Sequence, residues 1–181
     1  MHRMTHEEFL EAVQSRVARV SVSASAVRGS KAGTVEAARG FLRRLDLTPF
    51  GSDSAFSEVL DRSTDALRVA LPRGVQHWGL ARKLLDIFLR DCLYTTYLKE
   101  AFHLRNSEAE YEIPLDSITA LHLKRAAGRG GLPSWPGVKN VRPSLNAQFQ
   151  AAAEAEAKRM GIPRVHLDAV LWSQSRDDDG A

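Results

Sequence analysis

The chain has 181 residues, 44% hydrophobic and 26% charged, with a formal charge of +3 and a sequence pI near 9.2. That size fits one domain, or two closely packed helical lobes sharing a groove, and no apolar run reaches the ~20 residues a membrane-crossing helix needs. One cysteine, Cys92, excludes an internal disulfide or a cysteine-held metal cluster, and the N-terminus lacks the apolar core of a secretory signal, so the chain reads as cytoplasmic, soluble and without a membrane partner.

Thr5 and Glu8 have capping-box spacing, and Phe9, Leu10, Val13 and Val17 recur on one face, which predicts a first helix over Thr5 to Arg19 with Gln14 and Arg16 on its polar side. SVSASAVRGSKAG reads as a loop, with a short extended piece around Val20 to Val22. Val35, Ala38, Phe41, Leu42 and Leu45 form a second amphipathic pattern that ends before Pro49, and Phe56, Val59, Leu60, Leu67 and Leu71 form a third from about Ser54. Pro72 and Gly74 break the chain. A fourth helix is then expected from Trp78 or Gly79 to about Leu98, apolar on most of its circumference and so central, with Arg82, Asp86 and Arg90 as its polar stripe and Lys83 at the edge of that stripe.

Asp116 stands at the N-cap position of a short helix through Ile118, Leu121 and Leu123, and a Gly- and Pro-rich connection follows. Ser144 is placed to cap a long helix from Leu145 to Met160, stopped by Gly161 and Pro163, and Arg164 to Gln174 reads as a last helix before an acidic tail. The fold class is all-α.

Two helices joined by a short glycine-containing hairpin can clamp a DNA phosphate, because hairpin amides and the start of the second helix point at it. PRGVQHWG offers Arg73, Gly74, Val75, His77 and Gly79 for this, with Arg82 on the helix that follows. Most such breaks are plain turns, but Lys83 lies on the first turns of the second helix, and Asp116, in IPLDS, begins a later helix 33 residues on.

With these parts the sequence resembles the helix-hairpin-helix DNA glycosylase superfamily, over roughly Ser54 to Ala126. It looks nearest to the archaeal 8-oxoguanine glycosylase branch, and is similar in size and type to bacterial anti-phage glycosylases acting on glucosylated hydroxymethylcytosine. The hairpin lacks the family's common Gly-x-Gly pattern. The resemblance implies a bundle of two packed lobes with a cleft, a DNA partner, a monomer needing neither metal nor cofactor, Lys83 and Asp116 as catalytic residues, and Asp168 with Trp172 as the pair lining the base pocket.

The chemistry asks for these residue types. Cleaving an N-glycosidic bond develops positive charge at C1′, which a carboxylate such as Asp116 stabilises, and the same carboxylate can deprotonate an attacking amine or water. A lysine attacks C1′ only when neutral, and desolvation at the margin of an apolar helix favours that form. Asp168 and Trp172, four residues apart on one helix face, supply an acceptor and a stacking plane for an extruded base. The plain alternatives are a surface Lys83 paired with Asp86, an ordinary cap at Asp116 and a core tryptophan at Trp172. Trp78 fits packing, Trp135 between two prolines is expected to be exposed, Arg125, Arg129, Lys139 and Arg142 are further candidates for phosphate contact, and His2 and His6 have metal-ligand spacing only at a fraying end. The rival function is a non-enzymatic helical DNA-binding or toxin-antitoxin-type module using the same hairpin and arginines.

Overall fold

The computed structural model describes residues 3–27 and 29–171, and within them the chain is all-helical. Helix α1 (His6–Ser21) opens with the expected capping box: Thr5 Oγ1 accepts from the Glu8 amide, and the Glu8 carboxylate accepts from the Thr5 amide at 2.7 Å. The extended piece expected at Val20 to Val22 does not form. Instead α1 runs on to Ser21, and Val22 turns the chain away as its buried C-cap.

Helix α2 (Thr34–Leu42) stops short of Leu45 because Gln14, buried on α1 and not on its polar face, donates to the carbonyls of both Leu42 (3.0 Å) and Leu45 (2.8 Å). Those carbonyls need no further helical turn to be satisfied. Helix α3 (Phe56–Ala70) follows single 3₁₀ turns at Thr48–Gly51 and Asp53–Ala55. The α3 end is closed by Gln76, whose amide donates to the Val69 and Leu71 carbonyls.

Helix α4 (Trp78–Tyr94) is the central element, packed against α1, α2, α3, α5 and α7. It ends at Tyr94 and not at Leu98: Thr95 Oγ1 bonds back to the Asp91 carbonyl (2.8 Å), a geometry that competes with helix continuation, and the short α5 (Thr96–Ala101) starts afresh. Its polar stripe is not solvated, since Arg82 and Asp86 are only 5% and 3% exposed.

The 3₁₀ turn Leu104–Ser107 leads into an extended stretch whose Ile113 is held like a strand residue by a side chain: its amide donates to Gln150 Oε1 (3.1 Å) and its carbonyl accepts from Gln150 Nε2 (2.9 Å). Helix α6 (Ser117–Ala127) follows, then an irregular segment with a 3₁₀ turn at Val138–Asn140, then α7 (Pro143–Met160). Arg142, not Ser144, is the N-cap of α7, because Pro143 takes the first helical position, where its missing N–H costs nothing. A 3₁₀ turn at Arg164–His166 runs into helical backbone over 167–171.

Two apolar cores result. The larger joins α1 to α4 with Phe50, Leu98, Leu104 and Tyr111; the smaller joins Ile113, Leu115, α6, α7, Leu167 and Leu171. Between them lies a cleft.

Candidate active site

The cleft is a cavity of about 1230 Å³ walled by α1, one face of α4, the start of α6 and the start of the last helix. On α4 the lining residues are Lys83, Ile87, Arg90, Asp91 and Tyr94, which is the three- and four-residue spacing of one helical face. Across from them stand Val13, Val17 and Val20 of α1.

Lys83 Nζ lies 3.8 Å from Asp116 Oδ2, with the two side chains 13% and 23% exposed. The partner of Lys83 is therefore Asp116, from a distant part of the chain, and not Asp86. Asp116 is also the α6 N-cap: its Oδ1 accepts from the Ile118 and Thr119 amides, both at 3.0 Å. One oxygen fixes the carboxylate and the other faces the amine.

Asp168 reaches the same cavity and is 4% exposed. Burial pushes its carboxyl above the usual range; Arg90 opposes this, and nearby Asp116 and Asp91 add to it. Arg90 forms a close ion pair with Asp168 and grips Asp91 through Nε (3.0 Å) and Nη2 (2.8 Å), while Asp91 accepts from Ser21 at the end of α1 (2.6 Å). Trp172 lies outside the described residues.

The hairpin residues do not share one role. Arg73 and Gly74 are exposed, Gly74 with φ +91° in a turn where the Val75 amide donates to the Pro72 carbonyl (3.1 Å). His77 is half-buried, and its amide is taken by the Val75 carbonyl (2.8 Å). Val75 itself is core. Gly79 is buried against the 138–141 segment, where a Cβ would come within 2.7 Å of Val141 Cβ, so it serves packing and does not face outward. Arg82 is likewise turned inward: it holds Thr64 (2.8 Å), Asp61 (2.8 Å) and Glu112 (3.0 Å), and stacks its guanidinium over Trp78. That commitment leaves it no free face for a phosphate.

Among the other candidates, Arg125, Arg129, Lys139 and Arg142 are exposed, and Trp135 lines the cavity while packing edge-on against Phe149. No group of three metal-ligating side chains occurs among the described residues; His6 is the first residue of α1, and His2 lies outside them. Among the described residues no helix is long and apolar enough to cross a membrane.

Sequence reasoning missed Arg16, Arg90, Asp91 and Tyr94 as cavity residues. The signal was present for the last three, since they continue the face that begins at Lys83. No family model, curated protein or solved structure matches the chain.

Proposed function

We propose that this chain is a DNA glycosylase of the helix-hairpin-helix type that extrudes a modified base and cuts its N-glycosidic bond, with Lys83 as nucleophile and Asp116 as its carboxylate. The observation that carries the reading is the 3.8 Å approach of Lys83 Nζ to Asp116 Oδ2 in the wall of a cavity of about 1230 Å³. Typical small-molecule sites hold ~300–1,000 Å³, so the volume is large enough for an extruded nucleotide. The order α3, turn, α4, lysine, capping aspartate supports the same reading.

In this mechanism the neutral Lys83 amine attacks C1′ as the bond from C1′ to the base nitrogen breaks, the base leaving with the electron pair and taking up a proton. Asp116 Oδ2 stabilises the charge that develops and accepts the proton lost by the Lys83 nitrogen. Opening of the sugar ring then leaves a Schiff base on Lys83, from which loss of a C2′ proton and departure of the 3′-phosphate cut the strand. Asp168, held by Arg90, reads the edge of the base. Arg73 and the turn at Gly74 meet the backbone, and no metal or cofactor takes part. The base is 8-oxoguanine or glucosylated hydroxymethylcytosine, and the volume of the cavity favours the larger one.

Borohydride trapping and mass spectrometry of released bases test this together on ordinary, oxidised and glucosylated phage DNA. A covalent adduct and base release are expected, both lost in Lys83→Gln, with release lowered by about 10²–10⁴-fold in Asp116→Asn. DNA binding with no base release and no adduct on any of these substrates would instead identify a non-enzymatic DNA-binding module.

A further inference from the structure

Between Asp116 and Glu154 the sequence holds no acidic residue, yet it holds Lys124, Arg125, Arg129, Lys139 and Arg142, in a chain whose 22 acids nearly match its 25 lysines and arginines. Arg125, Arg129, Lys139 and Arg142 are exposed, and none of the five cations has a carboxylate partner among the described residues. Cations on other helices do pair: Arg62 with Glu58 and Lys158 with Glu154 four residues away, and Arg68 with Asp65 three away. On the 117–142 stretch no such neighbour neutralises them.

The same stretch borders the cavity. Ile118, Trp135, Gly137 and Val138 line it, and Asp116, the cap of α6, pairs with Lys83 in its wall. Along α6, Ile118, Leu121, His122 and Arg125 follow at helical spacing and so share one face. Ile118 and Leu121 are 38% and 49% exposed, whereas Ala120 and Leu123 of the same helix are core. Two aliphatic side chains thus stand in water beside the cavity, with an unpaired arginine behind them. Arg125 lies ~10 Å along the helix axis from Ile118. The grooves of B-DNA are ~7.5–8.5 Å deep, so a tip at Ile118 meets base edges while Arg125 stays at the level of the phosphates.

We propose that the outward face of α6, with Arg129 and the 138–142 segment beyond it, is a duplex-DNA-binding surface on which the cations hold phosphates and Ile118 and Leu121 enter the base step that an extruded nucleotide vacates. A phosphate backbone is the ligand this face selects, since each contact releases a condensed counterion and no carboxylate on the stretch opposes it. Aliphatic side chains inserted at a base step replace stacking contacts that the step has lost. Siting the wedge beside Lys83 and Asp116 rests on the glycosylase reading; the charge of the face does not.

Two duplexes of one sequence test this, one intact and one with a tetrahydrofuran abasic analogue whose 3′ neighbour is 2-aminopurine; neither offers a modified base to release. Arg125→Gln with Arg129→Gln should lower affinity for both by at least about tenfold and flatten the slope of log K against log salt by about 2. Arg62→Gln with Arg68→Gln removes the same charge from α3 and should change neither. Wild-type protein should raise 2-aminopurine fluorescence on binding, as the wedge unstacks that base. Ile118→Ala with Leu121→Ala should abolish the rise and weaken binding to the tetrahydrofuran duplex about tenfold more than to the intact one. Ile118, Leu121, Arg125 and Arg129 are all exposed, so these substitutions leave the core intact. No binding to either duplex at about 50 mM salt, equal losses from the two arginine pairs, or a fluorescence rise that survives the alanine pair overturns the proposal. Failure of the wild-type protein to release base from oxidised or glucosylated DNA, with the binding effects as stated, strikes only the glycosylase reading and leaves the DNA-binding face standing.

Discussion

Asp116 divides its two oxygens between capping α6 and pairing with Lys83, and substitutions can separate the two. Oδ1 satisfies two amides of α6, while Oδ2 faces Lys83. Asparagine caps helices as well as aspartate does, so Asp116→Asn should leave stability nearly unchanged while removing the charge beside Lys83. Asp116→Ala should lose the cap as well, costing about 1 kcal/mol in denaturant titration. If the asparagine variant unfolds as readily as the alanine one, the cap is not what holds the carboxylate. Both duties were legible in the sequence, because an aspartate after IPL and before a helical pattern reads as a cap, and its interval from Lys83 raises the pairing. Arg90 was not legible as a partner of Asp168, since the two lie 78 residues apart and no local pattern joins them. It took the packing of the last helix against α4 to bring them together.

At the scale of elements, the cavity depends on how closely the 138–141 segment lies on α4. Gly79 allows that approach, and Gly137 and Val138 of the same segment line the cavity. Gly79→Ala must push backbone aside and should cost about 1–3 kcal/mol as overpacking, with loss of ligand binding. Gly74→Ala meets open space, and its φ of +91° imposes only the backbone strain of a non-glycine residue there, of order 1 kcal/mol. Denaturation midpoints that rank Gly74→Ala as the worse of the two would refute the close packing at Gly79. Gln150 is the other element-scale device, pinning Ile113 and with it the approach to Asp116. Gln150→Leu leaves a buried amide and carbonyl without partners and should cost at least about 2 kcal/mol, measured in the same titration. The helices themselves were readable from hydrophobic period and caps. Gln14 and Gln150 were not, because a glutamine on an amphipathic helix reads as solvated surface until the chain it serves is seen beside it.

Across the whole molecule, the two cores are joined by a buried polar cluster along α4. Arg82 ties Asp61 and Thr64 of α3 to Glu112, and Glu112 in turn accepts from Asn146 of α7 (2.8 Å). Beside it Asp86 has both carboxyl oxygens buried and without a hydrogen-bond partner among the described residues. Burial above all, and then Glu112, push the Asp86 carboxyl well above its ordinary value, against the opposing charges of Arg82 and Arg164. The native protein therefore keeps a proton there that the unfolded chain releases above about pH 4. Where the folded state binds the extra proton, stability falls as pH rises, so the contribution of Asp86 is fully present below that pH and is lost as pH climbs toward the raised native value. Asp168, raised in the same direction, adds a contribution of the same sign. Melting temperature should accordingly decline from pH 5 to pH 8 in the wild type, and Asp86→Asn, neutral throughout, should flatten much of that decline and melt no lower than wild type at pH 8. An unchanged slope in the variant would show that Asp86 is ionised in the native cluster, and that Arg82 and Arg164 outweigh its desolvation.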